Sequence, residues 1–137
     1  MNYAIILNDR QLNIYRNALE FYSRFLAGQT DYLPPLLDWN LDIDYNDKKK
    51  ACDMFKKVLF PKLQTNESYG IGIEKDDKLS EERTISYEMY KEVYIEQRRQ
   101  QREKGTATSY SVHDRKALHL SDEPVSLVIP CIDIEKD

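Results

Sequence analysis

With 137 residues, a hydrophobic share of 41% and a charged share of 32%, the chain has room for one domain, residues 1–137, with a modest core under a heavily charged surface. Its longest apolar runs, such as Ala4 to Leu7, fall far short of the roughly 20 residues of a membrane span, and the amino terminus lacks the basic and apolar regions of a secretory signal. No membrane contact and a cytoplasmic location are therefore expected, with Cys52 and Cys131 as thiols. The net charge of -4 is distributed in blocks of alternating sign: about -3 over 1–45, +4 over 46–64, -4 over 65–92, +3 over 93–116 and -4 over 117–137. Such alternation suits a self-complementary fold with solvated helices.

Residues 3–7 form a short apolar and β-branched run that predicts a strand. The clearest helix follows, over 12–29, with Leu12, Tyr15, Ala18, Leu19, Tyr22, Phe25 and Leu26 at three- and four-residue steps. Asn8 with Gln11 three residues on is a capping box, and Gly28 is placed to end the helix. A connector containing Pro34, Pro35 and Trp39 leads to a second helix over about 46–60, whose apolar positions are Ala51, Met54, Phe55, Val58 and Leu59 and which Pro61 stops. A strand is expected near 69–73. Ser80 can cap a third helix with Ile85, Met89, Tyr90, Val93 and Tyr94 inward. Its continuation, 96–104, is wholly polar and is expected to project into solvent until Gly105 ends it. Two more strands are expected near 109–113 and 125–134, before a flexible tail at 135–137. The sum is an α+β fold, about three helices on a small mixed or antiparallel sheet.

Chemistry leaves a fainter trace. His113 and His119 lack companions at zinc-ligand spacing, and Asp38, Asp42 and Asp44 lack the glycine and closing glutamate of a calcium loop, so no metal and no cofactor is expected. No nucleophile motif accompanies Cys52 or Cys131, and Gly70-Ile71-Gly72 is only a fragment of a dinucleotide fingerprint. His113-Asp114 offers an acid–base pair for a small hydrolase, a minor reading. Lysines 48–50, 56, 57 and 62, with Arg98, Arg99, Arg102 and Lys104, could meet phosphates, but the overall acidity disfavours nucleic acid.

Three patches carry a resemblance: Phe21-Tyr22-Ser23-Arg24 followed by Gly28-Gln29, then Ser68-Tyr69-Gly70-Ile71, then Ile85-Ser86-Tyr87-Glu88-Met89-Tyr90-Lys91-Glu92-Val93. In order and spacing they resemble a group of small bacteriophage and prophage proteins of uncharacterised activity. The chain departs from that pattern after Val93, where an Arg- and Gln-rich extension replaces a short helix end. The resemblance implies a phage accessory protein inside a bacterial host and carries no catalytic residues across.

The expectation is a non-enzymatic binding protein that modulates or inhibits a host or anti-phage defence protein. The alternative is a small-ligand sponge for an anionic nucleotide signal. Candidate binding residues are Tyr22, Ser23, Arg24, Gln29, Tyr69, Arg98, Arg99 and Arg102. A homodimer through the tyrosine-rich third helix is a further option.

Overall fold

The computed structural model describes residues 1–34, 42–106 and 119–131. Among the described residues the regular structure is three helices, α1 (Asp9–Leu26), α2 (Tyr45–Leu59) and α3 (Ser80–Glu103). The Asn8 side chain accepts from the Gln11 amide at 2.9 Å and the Gln11 side chain accepts from the Asn8 amide at 3.0 Å, so the capping box forms and starts α1. Gly28 sits at φ 84, a left-handed conformation that favours glycine at that turn, and a side chain there would also displace the end of Leu63. Asp44 caps α2 by accepting from the Asn46 amide at 2.9 Å, and α2 ends just before Pro61. Ser80, expected as the cap of α3, is instead its first residue; its hydroxyl accepts from the Glu74 amide at 2.9 Å and donates to the Glu74 carbonyl at 3.2 Å.

The expected sheet does not form. Among the described residues the architecture is all-helical, with no strand. Residues 3–7 are irregular, with Tyr3, Ile5 and Ile6 exposed. Residues 69–73 spend their backbone groups on helix ends and side chains: the Tyr69 amide donates to the Ala27 carbonyl at 2.8 Å, and the Gly72 amide donates to the Thr84 hydroxyl at 2.8 Å. A segment committed in this way has no row of groups left for a ladder. Residues 125–131 are irregular too, whereas the predicted strand at 109–113 and positions 132–134 lie outside the described residues, as do His113, Asp114, Asp38 and the tail at 135–137.

α1 and α3 pack antiparallel. Asn13 and Arg16, early in α1, meet Gln97 late in α3, while Ser23 and Leu26 near the end of α1 meet Arg83 in the first turn of α3. Beside the predicted apolar stripe, α1 turns a polar row toward α3: Asn13, Arg16, Glu20 and Ser23 recur at steps of three and four. Of the predicted stripe Leu26 is buried, Leu12, Tyr15, Leu19 and Phe25 are half-buried, and Ala18 and Tyr22 are exposed. The polar end of α3 does not project freely either. Residues 95–100 are half-buried, because Gln97 donates to Asn13 at 2.8 Å and accepts from Arg16 at 2.8 Å.

The buried apolar residues are few: Leu26, Ala27, Phe60, Tyr90 and Val93. Phe21, Phe25, Phe60 and Tyr69 form a chain of ring contacts with centroids 6.0 to 6.4 Å apart, joining the end of α1 to the segment after α2. α2 itself packs against neither other helix. It is held from below, where buried Lys56 donates to the Thr65 carbonyl at 2.9 Å and to the Glu67 carbonyl, and where the Thr30 hydroxyl donates to the Cys52 carbonyl at 2.9 Å.

Candidate functional site

Arg83 is the most constrained side chain described, 1% exposed. Its Nε donates to the Gly70 carbonyl at 3.0 Å, one terminal nitrogen to the Leu26 carbonyl at 3.3 Å, and the other to Asp77 at 2.7 Å. The guanidinium also lies 4.9 Å from the centre of the Tyr69 ring. One planar cation thus closes the C-terminal end of α1, pins the 69–77 loop and satisfies a carboxylate. Burial alone would raise the Asp77 pKa, but the Arg83 bond together with amide donors hold it below its ordinary value. This cluster is a structural joint, and it absorbs two predicted binding residues. Ser23 is buried with its hydroxyl donating to the Arg83 carbonyl at 3.1 Å, and Tyr69 packs on Phe60 and Arg83.

The remaining candidates separate. Tyr22 donates its hydroxyl to Glu82 at an exposed position. Arg24, two residues on, leaves α1 on the other side of the Ser23 contact. Its guanidinium donates to Gln29 at 2.9 Å, pairs with Glu20 at 3.5 Å and lies 4.6 Å from the centre of the Tyr32 ring. Among the described residues Tyr22 and Arg24 therefore share no hydrogen-bond partner.

Arg24 belongs to a cluster that the sequence reading did not assemble. Along the seam between α1 and α3 lie Arg16, Glu20, Arg24, Tyr32, Tyr90, Lys91 and Tyr94. Tyr32 donates to Glu20 at 3.0 Å, and Arg16 lies 4.9 Å from the centre of the Tyr94 ring, 2.8 Å from its acceptor on Gln97. Glu20 thus pairs with Arg24 and accepts from Tyr32. Burial, with the charge of Glu20, pushes the Tyr32 hydroxyl up to about 12 and raises Tyr90, so both remain neutral. Burial also pulls the Lys91 ammonium below its ordinary value, against the opposing effect of Glu20. Arg24 stays 42% exposed at its side chain, so its outer guanidinium edge meets solvent. A planar cation backed by an aromatic face and open on its edge is suited to a carboxylate or phosphate acceptor.

At the far end of α3, Arg99 bonds Glu96 at 2.6 Å and also Glu103, and these partners raise its pKa further. Arg98 and Arg102 are half-buried on the same two turns. Elsewhere the Glu88 carboxylate collects the Leu120 amide at 2.5 Å, the Ser121 amide at 2.9 Å and the Ser121 hydroxyl at 2.5 Å, with His119 Nε2 at 3.5 Å. Burial opposes ionisation there, but these donors outweigh it and lower the Glu88 pKa. Beside α2 an open cleft of about 300 Å³ is lined by residues including Lys48, Lys49, Cys52 and Asp53. Burial raises the Cys52 thiol pKa, which leaves it less nucleophilic. No group of three or more His, Cys, Asp or Glu side chains is placed to hold a metal among the described residues, and no described helix is long and apolar enough to cross a membrane.

The signal for the seam was present in the sequence. Arg83, Tyr87, Tyr90, Tyr94 and Gln97 step by four, three, four and three along α3, and Asn13, Arg16, Glu20 and Ser23 step by three, four and three along α1. A search restricted to apolar periodicity finds Tyr90 and Tyr94 on α3 but passes over the polar members of both stripes. No protein family matches the chain, and no curated protein or solved structure is similar enough to match it.

Proposed function

We propose that this chain is a non-enzymatic accessory protein of phage origin that binds a host or anti-phage defence protein inside the bacterial cell, using the α1–α3 seam as its contact face. The observation that carries the reading is the pair of stacks Arg24 on Tyr32 and Arg16 on Tyr94 along one seam. Arginine and tyrosine are the side chains that concentrate binding energy at protein interfaces, and here both arginines are held by neighbours before any partner arrives. Such a face suits an acidic surface whose carboxylates take the outer edges of the two guanidinium groups. The phage context rests on the sequence resemblance alone.

The test compares proteins retained from host lysate by the native chain and by an R16E/R24E variant, with circular dichroism verifying that the helices persist. A specific protein retained by the first and lost by the second is expected. Identical recoveries, or no specific recovery by the native chain, overturn the reading. A second reading, a sponge for an anionic nucleotide signal, is favoured by the compactness of the Arg24, Gln29 and Tyr32 cluster, which matches one phosphate and one base. Saturating cyclic dinucleotide or adenosine-ribose compound should then raise the melting temperature of the native chain and not of Arg24→Ala.

A further inference from the structure

One amphipathic surface lies outside the core. Met54, Phe55, Val58 and Leu59 form the apolar side of α2, each between 48% and 74% exposed, and among the described residues no other helix packs on α2. A second apolar surface lies after Ser121. There Val125, Leu127 and Ile129 alternate outward, 45% to 81% exposed, with Ser126 and Val128 half-buried between them. Within the described residues no backbone hydrogen bond engages 122–131. Yet the segment is anchored, because Glu88 fixes Leu120 and Ser121 at its root.

We propose that the C-terminal segment Val125–Ile129 of one copy of this chain covers the apolar side of α2 in a second copy, reciprocally, in a two-fold homodimer. Charge decides the occupant. Residues 46–64 carry about +4, so two α2 helices placed face to face would repel, whereas residues 117–137 carry about -4 and open the segment with exposed Asp122 and Glu123. Lys50 and Lys57, two helical turns apart, flank the apolar side of α2 and meet these acids. Area agrees: at their present exposure the seven apolar side chains offer on the order of 800 Å² per protomer, which is half of a standard interface. Reciprocity follows from the two-fold axis, since each copy supplies one segment and one helix. These surfaces are distinct from the Arg16–Arg24 seam, so the dimer stands or falls independently of the function proposed above.

The experiment measures solution mass for the full chain by light scattering and sedimentation. The native chain is expected at twice 16.2 kDa, shifting toward 16.2 kDa at high salt and on dilution. Two charge-reversed variants, K50E/K57E and D122K/E123K, are each expected to be monomers with unchanged helical circular dichroism, because all four residues are exposed. Mixed in equal amounts they restore both contacts and return to the dimer mass, which no defect in folding would produce. A native chain that is monomeric at its highest soluble concentration overturns the proposal, including one whose α2 is instead covered by a host protein. So does a dimer that survives both reversals, or a mixture that stays monomeric.

Discussion

α2 and the α1–α3 pair invert the usual relation between pattern and packing. α2 has a clean apolar side and a good cap, yet that side faces outward. α1 and α3 meet through Ser23, Arg83, Arg16, Asn13 and Gln97, joined by hydrogen bonds and cation–ring contacts. An apolar stripe shows that a helix has something to cover; it does not show that the same chain covers it. A polar stripe of matching period can build an interior seam, provided every buried donor and acceptor finds a partner.

The contrast is broken most severely at Arg83. Arg83→Ala orphans the Leu26 and Gly70 carbonyls and the Asp77 carboxylate together, and a loss of about 3–5 kcal/mol in chemical denaturation is expected. Loss under 1 kcal/mol would show that apolar contacts hold α1 to α3. Phe60→Ala removes the ring that ties the segment after α2 to Phe25 and Tyr69, at an expected cost of about 3 kcal/mol. Here hydrogen exchange sharpens the comparison, since protection should fall in α2 before it falls in α3.

Glu88→Gln keeps the shape and removes the charge, and about 1–2 kcal/mol is the expected loss. The associated pH dependence has a definite sign. The folded pKa of Glu88 lies below its ordinary 4.5, so its stabilising effect is complete above that value and disappears as pH falls through the lower folded value. Proteolysis after Ser121 should accelerate in that acidic window for the native chain, and already be fast near neutrality for the variant. The smallest effect belongs to Tyr22→Phe. Its bond to Glu82 is exposed, so stability should change by no more than about 0.5 kcal/mol. A larger change would place Tyr22 within the seam.

Local signals in the sequence were legible because they act over a few residues. Asn8 with Gln11, Gly28, Pro61 and Gly105 mark helix ends that the structure reproduces, and all three helices lie close to their expected spans. Strands at 3–7 and 69–73 were misread because β propensity describes a side-chain surface and says nothing about a neighbouring ladder. At 69–73 the competing partners, Ala27 and Thr84, are 42 and 12 residues away respectively from Tyr69 and Gly72. Of the eight candidate residues, Arg24 and Gln29 meet in a side-chain hydrogen bond. Arg16, Glu20 and Tyr32 were missed because they belong to no apolar stripe, and Ser23 and Tyr69 turn out to serve the joint at Arg83.

The hydrogen bond from the Tyr69 amide to the Ala27 carbonyl has a consequence for how the chain can vary. Everything from residue 28 to residue 68, α2 included, departs from one point and returns to it. That stretch is a closed excursion hung on a two-helix clasp. Closure entropy grows only with the logarithm of length, so halving or doubling the excursion alters its cost by only about 0.6 kcal/mol. The clasp can therefore keep its form while the excursion is shortened or lengthened, so long as Gln29, Tyr32 and Phe60 keep their places against it.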